Sequence, residues 1–88
     1  MNDARKVELL NALFFIFAKK HQASIGESVP VKTLWINMSD AGFTDPDELG
    51  ELMQIALDGS FAVHTPGGPG DPGGLALTEA GYAASRNV

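Results

Sequence analysis

Apolar positions along this chain fall into helical and strand-like periods separated by clear breaks. At about 100° per residue, Val7, Leu9, Leu10, Leu13, Phe14, Ile16, Phe17 and Ala18 share one arc, with Glu8, Asn11 and Lys19 opposite. The arc covers roughly 200°, about twice the stripe a surface helix needs, so a first helix from Asp3 to His21 must be covered on more than one side. Phe15 falls among the polar positions and stays exposed unless the C-terminal helix or a second subunit reaches it. Ser24 to Val31 reads as a connector ending in a short extended piece, because Pro30 disfavours helical backbone at Val29.

A second helix is predicted from Val31 to Ala41, with Val31, Leu34, Met38 and Ala41 inward and Gly42 as a left-handed stop. Trp35 flanks this stripe, and Ile36 lies off it. In Thr44-Asp45-Pro46-Asp47-Glu48, Asp45 suits a helix cap, Pro46 the first turn, and Glu48 the far side of a capping box. The third helix then runs from Pro46 to Asp58 on Leu49, Leu52, Met53 and Ala56, with Gly59 as its stop. Phe61–His64 and Leu75–Leu77 alternate as strands, and the Gly- and Pro-rich segment Pro66–Gly74 is the loop between them. Thr78 caps a last short helix through about Ser85. The chain is therefore expected to be one α+β domain over 1–88, mostly α, with a three-helix core followed by a two-stranded β unit and a short C-terminal helix.

Charge changes this picture more than composition does. The net charge is −5, and no cysteine is present, which removes disulfides, thiolate chemistry and Cys-based metal sites. Up to Lys32, five basic residues (Arg5, Lys6, Lys19, Lys20, Lys32) face three acids, for +2. From Thr33 onward only Arg86 opposes eight acids, for −7, so that half repels phosphate. The longest apolar run, Ala12–Ala18, is far short of the roughly 20 residues of a membrane span. Arg5-Lys6 before an apolar stretch imitates a signal peptide, but Asn11 breaks the stretch and Lys19-Lys20 replace the small residues of a cleavage site. The segment reads as mature helix, and a cytoplasmic location is expected.

Helix, helix, helix, strand, long turn, strand, helix resembles the winged helix-turn-helix superfamily. Leu77-Thr78-Glu79-Ala80-Gly81-Tyr82 is similar to the Leu-Thr-x-x-Gly-aromatic signature that closes the wing in many bacterial repressors. The resemblance implies that Pro46–Asp58 would be the helix that enters the major groove, with the Pro66–Gly74 wing beside phosphate. The residues depart from that role. Asp47, Glu51, Gln54 and Asp58 line the outward face of the third helix, which contains no Lys or Arg, and the wing carries one charge, Asp71. A DNA reader needs cations for phosphates and donors for guanine.

Other constellations fail on spacing. Asp45, Asp47 and Gly50 match positions 1, 3 and 6 of a calcium loop, but Leu49 and Ala56 occupy positions 5 and 12. Gly73-Gly74 leads into Leu75-Ala76-Leu77 instead of the Lys and Ser or Thr of a phosphate loop. His21 and His64 are too few for zinc, and no serine sits in a nucleophile elbow. No catalytic, metal or cofactor-binding residue is assigned. The expectation is a non-enzymatic winged-helix module acting through protein–protein interaction, with itself among its partners. Phe15, Trp35, Ile36, Asp47, Glu51, Gln54 and Asp58 would form the interaction surface. The rival is a DNA-binding transcriptional regulator whose Lys19, Lys20 and Lys32 touch the backbone.

Overall fold

The computed structural model describes residues 2–87. Asn2 opens α1 (Asp3–Phe15) by accepting the Arg5 backbone N–H at 2.8 Å, which satisfies one of the donors a first turn leaves unpaired. Leu9, Leu13 and Phe14 carry α1 into the core. The predicted α-helix to His21 does not continue: Ile16–Lys20 forms a π-helical turn, in which one extra residue enters the backbone register. Ile16 and Phe17 are both buried there, while Lys19 and Lys20 face solvent. Val7, expected on the buried arc, is 56% exposed. Its neighbour on the arc, Phe14, is buried edge-on against Phe61 at 5.4 Å, so cover along this face depends on which distant segment arrives at each turn.

β1 (Ser28–Pro30) runs directly into α2 (Val31–Asp40), with Pro30 as the last extended residue. β2 (Ala62–Thr65) and β3 (Gly74–Leu77) form the expected antiparallel pair, but β1 pairs with the other edge of β3, so the sheet has three strands in the order β1-β3-β2. The two-stranded expectation is corrected because β1 has a single buried residue, Val29, and three residues are too few to show alternation. The central strand is buried along its whole length. Over Gly74 the hydroxyls of Ser28 and Thr65 meet at 2.7 Å, and a Cβ at that position would overlap both.

Gly42 ends the second helix at φ 96°, as its sequence position predicts. α3 (Pro46–Asp58) starts where expected, with Asp45 accepting the Asp47 N–H at 2.9 Å. Glu48 does not complete a capping box, since both its oxygens are held by Arg5. At the far end Gly59 has φ −80°, and the left-handed residue is Ser60 at φ 59°. Gly59 is required for space instead: a Cβ would lie 2.8 Å from the Phe61 ring.

α4 (Glu79–Ser85) is fastened to the corner between α3 and β2 by the motif read in the sequence. The Thr78 hydroxyl donates to the Ser60 carbonyl at 2.5 Å and accepts the Gly81 N–H at 3.1 Å. The Thr78 N–H donates to the Phe61 carbonyl at 3.1 Å, and Gly81 packs so tightly on that carbonyl that no Cβ fits. One core unites these elements: Leu9, Leu13 and Phe17 meet Leu34 and Met38 of α2, Leu52 and Ala56 of α3, and Val29, Leu75 and Leu77 of the sheet.

Candidate functional site

The solvent face of α3 follows from how its first turn is held. Arg5 reaches from α1 to grip Glu48 with two parallel hydrogen bonds of 2.7 Å, Nε to Oε2 and Nη2 to Oε1, and a third of 2.7 Å goes to Glu8. Its guanidinium also stands over the Phe43 ring at 5.1 Å. The fork holds the Glu48 carboxyl below its usual range through hydrogen bonding and raises the Arg5 value. Glu48 is thereby neutralised, and the remaining charge of the helix lies on its other side.

That side carries Asp47, Glu51, Gln54 and Asp58, all exposed. Gln54 donates its amide to Asp58 at 2.8 Å, which leaves Asp58 charged. Among the described residues, the ion pairs comprise Arg5 with Glu8 and Arg5 with Glu48, so no cation counters Asp47, Glu51 or Asp58. These four residues, expected from sequence to share a face, do so.

The other expected residues lie on other elements. Phe15 is 48% exposed although α4 packs on α1, and Ile36 on α2 is 62% exposed. Trp35 is half-buried and packs against the core, so much of its ring serves the fold. Lys19 and Lys20 are exposed on the π turn, and Lys32 is exposed in the first turn of α2. His21 ties those two segments together through a 2.7 Å hydrogen bond to Asn37. Sequence reasoning missed Val7, Ile25 and Val63, each at least half exposed, because exposure of a single apolar residue depends on neighbours supplied by distant segments.

The loop between β2 and β3 carries hydrogen bonds of its own. Asp71 accepts the Gly73 N–H at 2.9 Å and donates its own N–H to Gly68 at 2.9 Å. His64 Nε2 meets the Pro72 carbonyl at 2.7 Å, and the Val31 N–H at the start of α2 donates to Gly73 at 2.8 Å.

No family model, curated protein or solved structure matches this chain. Among the described residues no group of three or more His, Cys, Asp or Glu is placed to hold a metal ion. No described helix is long and apolar enough to cross a membrane.

Proposed function

We propose that the chain is a winged-helix module that works by binding protein, a second copy of itself included, and not by catalysis. The order of elements supports the fold reading: a strand between the first two helices pairs with the last strand, and the hairpin follows the third helix directly. The observation that carries the functional reading is the solvent face of α3, where Asp47, Glu51 and Asp58 stand exposed without a countering cation among the described residues. In a winged helix that face would lie against DNA, and there each uncompensated carboxylate repels the phosphates whose neutralisation supplies most non-specific affinity. A protein surface with basic groups has no such penalty. Phe15 and Val7 on α1 offer the apolar component that interfaces draw on.

The rival reading is a DNA-binding regulator. It is favoured by one observation: Lys19, Lys20 and Lys32 are exposed on segments joined by the His21–Asn37 bond. Titration with random-sequence duplex DNA separates the two. The protein-binding reading expects a flat response down to about 50 mM salt, whereas binding that falls steeply with added salt would establish the regulator instead. Self-association is read by light scattering. A mass near twice 9.3 kDa that Phe15→Asp halves supports a second copy as partner, and a monomer at high concentration removes it.

A further inference from the structure

A cavity of about 370 Å³ opens between the π turn at the end of the first helix and the last turn of α4. This volume lies within the roughly 300–1,000 Å³ of small-molecule sites. Its walls depend on two departures from regular backbone: the π turn itself, and Gln22 at φ 48°, left-handed without being glycine. Hydrogen bonds from the Ala23 N–H to Phe17 at 3.0 Å and from the His21 N–H to Ile16 at 3.2 Å hold that shape. π turns concentrate at functional sites, and such a left-handed residue persists only where its surroundings over-determine it.

The charge of the lining is opposite to that of the protein. Lys19 and Arg86 are the charged side chains of the cavity, both positive, in a chain where acids outnumber Lys and Arg eleven to six. Neither forms an ion pair among the described residues. Arg86 stands over the Tyr82 ring at 5.4 Å, which restrains its planar fork. Its side chain is not needed to close the helix end. The Tyr82 carbonyl already accepts the Ser85 hydroxyl at 2.7 Å, and the Ala83 carbonyl accepts the Asn87 amide at 3.2 Å. Ala18 and Ala23 supply apolar wall, while Gln22 and Ser24 add an amide and a hydroxyl.

We propose that this cavity binds a small organic carboxylate. Arg86 takes the carboxylate through its fork, Lys19 adds a second charge-assisted hydrogen bond, and the Gln22 amide and Ser24 hydroxyl lie along the rest of the lining. A fork matches a carboxylate in plane, which distinguishes this site from a diffuse basic surface.

Amide-resolved NMR titration of the full chain tests the site, using benzoate as probe, with benzamide and inorganic phosphate as comparisons. Benzoate is expected to give saturable shifts confined to residues 18–24 and 82–86. Arg86→Ala and Lys19→Ala should each weaken it about tenfold, the loss of one charge-assisted contact. Both side chains are exposed, so unchanged shifts elsewhere certify that the variants fold. Arg86→Lys, which keeps charge but not the fork, should restore only part of the affinity. Absence of shifts at about 10 mM benzoate, beyond any useful affinity, overturns the proposal. So does binding that ignores the substitutions, or equal binding of benzamide or phosphate.

Discussion

Arg5 shows why single residues of this protein resist reading in isolation. Its fork on Glu48 spans 43 positions of sequence, and the local pattern assigned Glu48 to a capping box that the structure does not form. Because the folded Glu48 carboxyl titrates below its ordinary range, the pair's contribution is full above that range and is lost as pH falls through the lowered folded value. Arg5→Gln should therefore lower the thermal midpoint at neutral pH and make no difference in acid below the folded Glu48 value, where the carboxyl is protonated in both states. Equal losses at both pH values would mean that Arg5 acts through its stacking on Phe43 instead. Asp45, by contrast, was legible because its partner is two residues away. Asp45→Ala should cost about 1 kcal/mol in denaturant unfolding. Gly81→Ala should cost more, about 2 kcal/mol or above, since a Cβ has no room against the Phe61 carbonyl.

At the scale of elements, the period of the chain located all four helices and the β2–β3 pair, because each has enough residues for its pattern to show. It gave β1 as a short extended piece without its pairing to β3, since three residues carry one buried side chain, and it missed the π turn, where the period itself changes. The acidic face of α3 was readable in full, since four residues on one helix need no knowledge of the rest of the fold. If that face is what keeps DNA away, the double substitution Glu51→Lys and Asp58→Lys should raise affinity for random duplex at low salt by at least about tenfold. Fluorescence anisotropy measures this directly. An unchanged affinity would mean that this face is not what excludes DNA.

Across the whole molecule, charge asymmetry is the dominant global property. The eight acids after Thr33 repel one another through a fold with few ion pairs among the described residues, so screening should stabilise it. Raising salt from about 50 mM to roughly 0.5 M shortens the screening length to about 4 Å and should raise the thermal midpoint by a few degrees. A midpoint that falls would mean the Arg5 network outweighs the repulsion. The chain alone determined the helices, their local caps, the hairpin, the Thr78–Gly81 motif and the acidic face, because those depend on neighbours within a few positions. Only the tertiary structure decided what Arg5 grips, that β1 completes the sheet, that Val7 is exposed, and that Lys19 and Arg86 face one cavity. Each of these is a meeting of segments far apart in sequence, and residue order carries no direct signal for which distant surfaces will cover one another.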